Sequence, residues 1–402
     1  MRRTDERPVT DAAIPTKILF VIGTLAVGGS ETQLMELASR LDRRRFEPVV
    51  CSLFSGGDLV APLRARGVRV HELDFDALPV GRLWFLTGLP AIARALWQLW
   101  RLIRRERPAI LHGVLLWAYV LGTFLGRAAG VPVIIASRRS LGLFKADKPH
   151  YLFLERMGNR LTDLVIANSE AVREDTLQRE NVRREDIVVI HNGLDLARFD
   201  AAPDERLAAG LELGRGPRVI VVSNLIYYKG HEHFFRAWAG VVGRFPNAVA
   251  MLVGDGLQRP ALDVLAEELG IRSSLRFLGV RHDVPGLLAL ADVYVHPSLQ
   301  EGFSNAVLEA MGAGKAIVAT RVGGNAEAIV DGETGILVPP ADPDALRRGI
   351  LRLLEDPDHA RQMGARARDR VRARHDIEVV VQQYEREYER MLAARTRTKR
   401  GA

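Results

Sequence analysis

With 402 residues, 48% of them hydrophobic and 26% charged, the chain is long enough for two α/β domains and too apolar for a disordered one. A single cysteine, Cys51, set in the apolar run Pro48–Leu53, excludes an intrachain disulfide framework and fits a cytosolic protein. The net charge of +7 is uneven, with 29 Lys and Arg against 23 Asp and Glu in residues 1–200 and 27 against 26 beyond; an anionic surface or substrate is expected at the amino-terminal half, and no aromatic–basic repeat points to nucleic acid.

Residues 1–16 are charged and lack an apolar centre, so they read as a disordered tail and not as a secretory leader. Lys17–Gly23 is a continuous apolar run of the kind buried in a parallel sheet. Gly28 and Gly29 follow it and precede a helix reaching about Leu41; a glycine pair there lets backbone approach a phosphate closely. The spacing is not GxGxxG, which argues against a dinucleotide oxidoreductase. Strands are predicted at Phe46–Phe54 and Val68–Leu73 with a helix at Asp58–Arg66 between them. Asp74 and Asp76 then form an Asp-x-Asp with no further ligand cluster nearby, so a solvated loop and no metal site are expected.

Leu83–Arg107 is a predicted helix in which Leu89, Ile92, Leu96, Leu99, Trp100 and Ile103 recur at helical spacing. Trp84, Trp97, Arg94, Arg101, Arg104 and Arg105 lie around that stripe. One reading is packing of the inner stripe alone; the other adds contact of the basic and aromatic face with an anionic membrane leaflet. Ala109–Gly126 approaches the length of a membrane span, but Gly113, Gly122 and Gly126 divide it. It reads as strand Ala109–His112 and helix Trp117–Ala129, with strand Val131–Ala136 next. Arg138 and Arg139 close that strand and are either anion ligands or surface arginines; Leu141–Tyr151 reads as a mobile loop.

A strand at 163–168 runs into a helix capped by Ser169, and Ile187–Ile190 is followed by a tight Asn192–Gly193 turn. Residues 17–195 thus form a first domain and 196–216, rich in Ala, Gly and Pro, a linker. The second domain, 217–375, opens with strand Arg218–Val222 and a turn carrying Asn224 and Lys229. Further strands end at Gly254–Gly256 and at Gly279, beside Val280 and Arg281, and a helix covers Asp283–Leu290. A long helix is expected over 376–394 and a disordered basic tail over 395–402.

The stretch Val293–Gly335 carries the chemistry. It reads as strand Val293–His296, loop Pro297–Ser304, helix Asn305–Ala313, strand Ala316–Thr320, a Gly-rich turn Val322–Asn325 and a second helix. Glu301 lies in the loop and Glu309 one turn inside the helix, so both carboxylates can face one crevice at the carboxyl ends of the strands. Between them Gly302, Phe303, Ser304 and Asn305 begin the helix, whose first amides have no intrahelical partner and suit an anion. Two carboxylates for hydroxyl groups and a set of amides for phosphate would together hold a nucleotide sugar.

The run Glu301-Gly-Phe-Ser-Asn-Ala-Val-Leu-Glu309 resembles the Glu-seven-Glu motif of the retaining glycosyltransferases of family 4, and the alternation of strands and helices extends the resemblance over nearly the whole chain. The resemblance implies a GT-B fold: two Rossmann-like domains facing a central cleft, with a C-terminal helix crossing back to the first. It implies metal-independent, retaining transfer of a hexose-type sugar from a nucleotide-diphosphate donor, UDP before GDP, to a cell-surface polysaccharide or lipid-linked acceptor. No cofactor is expected beyond the donor. A cytoplasmic protein, at the inner face of the membrane where the acceptor is lipid-linked, would fit. By the same resemblance Glu301 holds hydroxyls of the transferred sugar and Glu309 the ribose. Lys229 and the amides near Ser304 and Asn305 hold the diphosphate, the Gly28–Gly29 loop faces it, and Val280 and Arg281 meet the base. Two positions depart from the family pattern. Asn224 stands where the family has an arginine, and no histidine occupies the acceptor side near Arg138 and Arg139, which leaves those arginines to take over anion binding. A catalytically degenerate nucleotide-sugar-binding protein, or another GT-B enzyme such as an epimerase or a pyridoxal-phosphate phosphorylase, remains the alternative.

Overall fold

The apolar run after Pro15 becomes β1 (Thr16–Ile22), in which Ile18 to Ile22 are fully buried. Burial on both faces is the condition of a strand inside an all-parallel sheet, and it explains why the run does not alternate. The computed structural model describes residues 14–73, 75, 89–142 and 148–400. Six further strands join β1: β2 (Phe46–Ser52), β3 (Arg69–Glu72), β4 (Ile110–Val114), β5 (Val133–Arg138), β6 (Leu164–Ala167) and β7 (Ile187–Val189). The seven run in the order β3-β2-β1-β4-β5-β6-β7, with Phe20 in register with Val50 on one side and His112 on the other. Their helices are α1 (Gly29–Arg40), α2 (Val60–Ala65), α3 (Leu89–Glu106), α4 (Leu116–Ala128), α5 (Pro149–Asn159) and α6 (Glu170–Arg179). Ser169 caps α6 by accepting from Val172 N at 3.1 Å, as its position before the helix predicts.

A second, six-stranded sheet has the order β10-β9-β8-β11-β12-β13. It is built from β8 (Arg218–Val222), β9 (Val249–Val253), β10 (Leu275–Gly279), β11 (Val293–His296), β12 (Ala316–Thr320) and β13 (Ile336–Val338), paired in parallel throughout. The helices are α7 (Glu205–Gly210), α8 (His231–Arg244), α9 (Arg259–Glu268), α10 (Val284–Leu290), α11 (Asn305–Gly312), α12 (Asn325–Ala328), α13 (Pro343–Glu355), α14 (Pro357–Arg374) and α15 (Ile377–Arg400). On one face Phe234 stacks on Trp238 at 5.7 Å, and the indole N–H of that buried tryptophan donates to Ser274 at 2.9 Å.

By internal contacts the chain divides into two compact units. The first takes in the chain up to Ser137, Met157–Leu164 and the stretch from Glu385; the second holds Arg138–Arg156 and Val165–Tyr384. The last helix, α15, changes unit along its length, and its distal part is anchored in the first unit by specific groups. Tyr388 is fully buried, edge-on to Phe46 at 5.9 Å, with its hydroxyl 2.9 Å from His112 Nδ1. Glu385 accepts from the amide of Asp42 and from Arg45, both at 2.8 Å.

Several boundaries differ from the sequence expectation, each for a local reason. The stretch 196–216 is not a bare linker: a 3-10 turn (Leu196–Phe199) and α7 bury Phe199, Ala208 and Leu213 in the second core, and Asp204 caps α7. Pro149, placed in a loop from sequence, opens α5. Residues 395–400 continue α15, with Arg395 paired to Asp163. Helix α14 has few apolar residues and gave no periodic signal, yet Ala360, Met363, Ala367 and Val371 are buried at three- and four-residue spacing and Asp356 caps it. The apolar stretch around residues 109–126 is β4 and α4, and among the described residues no helix is long and apolar enough to cross a membrane. Residues 1–13, Asp74, Asp76, Trp84, Lys145 and 401–402 lie outside the described residues.

Candidate active site

In the second sheet the strand order reverses between β8 and β11, which are hydrogen-bonded neighbours although three strands apart in sequence order. A reversal of this kind leaves a crevice outside the carboxyl ends of the two strands, where open α/β sheets take their ligands. The loops that follow β8, β11 and β12 fill its rim, and they lock onto each other through backbone. Leu299 N donates to Tyr228 O at 2.8 Å, Thr320 Oγ1 donates to Ser298 O at 2.5 Å, and Gly324 N donates to Gly302 O at 2.9 Å.

Glycine is required at two of these crossings. A Cβ on Gly230, which has φ +70°, would stand 2.0 Å from the carbonyl oxygen of Pro297, and one on Gly323, with φ +45°, 1.8 Å from that of Glu301. Both residues combine a left-handed backbone with a backbone approach that admits only hydrogen. The first crossing brings Lys229, the residue before Gly230, onto Glu301: Nζ lies 2.6 Å from Oε1.

Glu301 is held by more than Lys229. His296 Nε2 and Ser298 Oγ both lie 2.8 Å from the same Oε1 oxygen, and His296 Nδ1 is 3.0 Å from the Tyr294 hydroxyl. Burial alone would raise the Glu301 carboxyl; the bonds and charges from His296 and Lys229 outweigh it and bring it down to about 2. Tyr294 is pushed well above the usual phenol range, by burial first and then by the Glu309 and Glu301 carboxylates, so its hydroxyl keeps its proton.

Glu309 behaves oppositely. It sits on α11 with no side-chain hydrogen bond among the described residues, and burial lifts its carboxyl to about 7 against a smaller opposing pull from Arg198. Two carboxyl groups one helical turn and a loop apart are thus shifted in opposite directions. Ser304 caps α11, its Oγ accepting from Val307 N at 3.3 Å, which places the start of the helix a few residues after Glu301.

The residues singled out from sequence therefore fall into groups. Lys229, Glu301, Gly302, Phe303, Ser304, Asn305 and Glu309 come together on the β8 and β11 loops and α11. Asn224 is exposed on the β8 loop, its carbonyl 3.2 Å from His231 Nε2. Val280 is 66% exposed after β10, and Arg281 is engaged side by side with Asp283 at 2.8 and 2.5 Å. Gly28 and Gly29 open α1 in the first unit; Gly28 takes the cap position without a side chain and has Glu31 against it.

The two arginines differ from the sequence expectation. Arg138 is no surface cation: it is 6% exposed and paired with the buried Glu180 at 2.7 Å and Glu155 at 3.8 Å, so its charge is committed to the core of the second unit. Arg139 donates to Asn192 Oδ1 at 2.7 Å, while Asn192 Nδ2 donates to Phe303 O and Asn305 Oδ1 at 3.0 and 2.6 Å. It acts on the start of α11 through Asn192. Sequence reasoning missed His296, Ser298 and Asn192. The His-Pro-Ser-x-x-Glu spacing from Val293–His296 into the loop was the available signal for the first two.

The fold and this site define a glycosyltransferase of the GT-B class. Two family models match the chain in succession, Glycosyltransferase Family 4 over residues 27–198 and Glycosyl transferases group 1 over 205–370. The chain belongs to glycosyltransferase family 4. It is similar to an uncharacterised glycosyltransferase of Methanocaldococcus jannaschii, 28% identical over 82% of this chain and 86% of the relative. It is equally similar to the D-inositol 3-phosphate glycosyltransferase of Streptomyces scabiei, 28% identical over 90% and 86%. Among solved structures, Anabaena HepE in complex with UDP and glucose superimposes with a TM-score of 0.82 at 26% identity, over 93% of this chain and 99% of that one.

Proposed function

We propose that the chain transfers a hexose-type sugar from UDP-sugar to a hydroxyl of a glycan or lipid-linked acceptor, with retention at the anomeric carbon and with no metal ion or cofactor. The observation that carries this reading is the Lys229–Glu301 pair, 2.6 Å apart, on the loops at the strand-order reversal and before the start of α11. UDP is preferred over GDP because the Anabaena neighbour was solved with UDP and glucose. Retention rests on the likeness to the retaining family.

In this reading Glu309 receives the ribose hydroxyls and Glu301 receives hydroxyls of the transferred sugar through its second oxygen, Oε2. The bond from the anomeric carbon to the diphosphate oxygen breaks with its electron pair leaving on UDP. The acceptor oxygen takes that place on carbon, and the acceptor proton leaves with the diphosphate. Lys229, with three N–H donors, and the amides of Asn305 and Ala306 meet the charge that develops on the leaving group. Exposed, neutral Asn224 supplies a donor without charge, so Lys229 carries the cationic share. By the likeness to the family, Gly28 and Gly29 are assigned to the donor phosphates and Val280 and Arg281 to the base.

Titration with UDP, GDP, ADP and NAD, followed by UDP-glucose turnover, tests the reading. Selective stabilisation by UDP and turnover abolished in Glu301→Ala and Lys229→Ala proteins that remain folded are expected. Stabilisation by NAD alone, or full turnover in both variants, refutes it. A second reading concerns the partner surface: the basic, tryptophan-bearing face of α3 contacts an anionic membrane, placing the enzyme at the inner leaflet where a lipid-linked acceptor would be met.

A further inference from the structure

We propose that His296 is a positioning residue for Glu301, saturating one carboxylate oxygen so that the other is presented to the transferred sugar. This deepens the donor-site reading and rests on it. His296 is the last residue of β11 and 1% exposed, and its ring lies nearly parallel to Tyr294, 18° between planes and 6.0 Å between centroids. A buried histidine of this kind ordinarily satisfies itself on backbone. Here both ring nitrogens go to side chains, Nδ1 to the Tyr294 hydroxyl at 3.0 Å and Nε2 to Glu301 Oε1 at 2.8 Å.

The direction of the bond to Glu301 follows from the carboxylate. The Glu301 carboxylate can only accept, so Nε2 carries the hydrogen and donates. Nδ1 pairs with the Tyr294 hydroxyl, which can donate to a neutral imidazole or accept from an imidazolium, so the ring is held at both nitrogens in either form. Ser298 Oγ, 3.2 Å from Nε2, adds a bond to Oε1 at 2.8 Å, and Lys229 adds another at 2.6 Å. Three donors from three positions thus converge on one oxygen, while Oε2 has no hydrogen bond among the described residues and the side chain retains 10% exposure. A carboxylate needed only for structure would be satisfied on both oxygens. Of the three donors, Lys229 is on a flexible stem and is the one called on by the diphosphate. His296, on a strand, is the rigid one, and its loss frees the carboxylate to rotate.

The test compares His296→Phe and His296→Gln with Glu301→Ala in the full-length protein, reading UDP affinity, UDP-glucose affinity and the KM and kcat of UDP-glucose turnover. Gln keeps an N–H near the place of Nε2; Phe keeps the ring volume and removes the donor. His296→Phe is expected to keep UDP affinity within about threefold and to lose roughly 100-fold in kcat, the scale of a misplaced reacting group. It is also expected to lose the affinity difference between UDP-glucose and UDP, as Glu301→Ala does, while His296→Gln recovers at least part of both. A folded His296→Phe enzyme with wild-type kcat overturns the inference, as does a His296→Gln enzyme no better than Phe. If the wild type binds neither UDP nor UDP-glucose, the donor-site reading fails and this inference with it. If the wild type turns over and the His296 variants match it, this inference alone fails.

Discussion

Asn192 Nδ2 lies 2.6 Å from Oδ1 of Asn305, 113 residues further along the chain and the first residue of α11. The same amide nitrogen donates to Phe303 O, and the amide oxygen accepts from Arg139. Asn192, 4% exposed, is therefore the clamp on the start of α11, the helix that follows Glu301. Asn192→Ala leaves Asn305, Phe303 O and Arg139 each short of a partner in a buried place. A stability loss of about 1–3 kcal/mol is expected in urea unfolding, with weaker UDP binding from a loosened helix start. Unchanged urea midpoint and UDP affinity would show that the clamp is idle.

Glu309 makes donor binding depend on pH. Its carboxyl, lifted by burial to about 7, is half protonated at neutrality in the free protein. Ribose hydroxyls donate, so they select the carboxylate, and binding releases a proton wherever the free carboxyl holds one. UDP-glucose, whose phosphates do not titrate near neutrality, is expected to bind more tightly as pH rises to 7, by up to about tenfold per pH unit below that value, and to level off above it. Glu309→Gln should bind weakly at every pH without the slope. The stability sign is the reverse. A carboxyl whose folded value is raised favours the folded state while protonated, and this advantage is lost as pH climbs from about 4.5 to about 7. Glu309→Gln should therefore be more stable than the wild type above pH 7, on the order of 2–3 kcal/mol, and no more stable below pH 4.5. Calorimetry of binding and denaturant titration at several pH values measure both signs.

Gly230 tests the crossing that delivers Lys229. Alanine there meets the Pro297 carbonyl at 2.0 Å and takes on φ +70°, so the β8 and β11 loops must separate. Gly230→Ala is expected to cost roughly 2 kcal/mol or more, and to lower turnover further than stability alone accounts for, because Lys229 moves off Glu301. Gly210→Ala in α7, where nothing lies within 4 Å of the added Cβ, serves as the contrast and should stabilise by about 0.5–1 kcal/mol. Equal stability and turnover in both variants would remove the crossing from the argument.

What could be read before the fold was known follows the range of the interactions. Glu301, Ser304 and Glu309 were legible because a strand, loop and helix contiguous in sequence carry them. Lys229 was singled out through the likeness to the family, its own turn before Gly230 carrying no such signal. Arg138 was not, since its partner Glu180 is 42 residues away and only the folded core shows which arginine of the Arg138–Arg139 pair is buried. Asn192 has the same cause, being tied to α11 from 113 residues off. His296 lay in plain view as a strand end, but its only sequence signal was the His-Pro-Ser-x-x-Glu spacing, and its role shows once both ring nitrogens are found on side chains. The linker misled for a compositional reason: Ala, Gly and Pro hid the spacing of Phe199, Ala208 and Leu213 that packs it on the second core.

The face of α3 gives the last prediction. Ala95, Leu99, Leu102 and Ile103 turn inward and are buried, whereas Trp97 and Trp100 are 52% and 39% exposed, so Trp100 leaves the inner stripe to which its spacing assigned it. Arg101 lies over Trp97 at 5.0 Å and Arg104 over Trp100 at 5.8 Å, with Arg94 and Arg105 exposed on the same helix. An aromatic ring under a guanidinium suits the headgroup region, where the ring is half desolvated and the cation meets lipid phosphate. Each basic residue at an anionic surface contributes about 1 kcal/mol, so the double variant Arg101→Ala, Arg104→Ala should bind vesicles rich in anionic lipid roughly 30-fold more weakly. Trp97→Ala should weaken binding without altering its salt dependence. Because the helix face lies apart from the Glu301 loops in sequence and in unit, turnover on a soluble acceptor should stay at the wild-type level in all three substitutions. Co-sedimentation with anionic and neutral vesicles at two salt concentrations decides the matter: equal binding to both vesicle types, or binding indifferent to salt, leaves α3 with packing as its whole role.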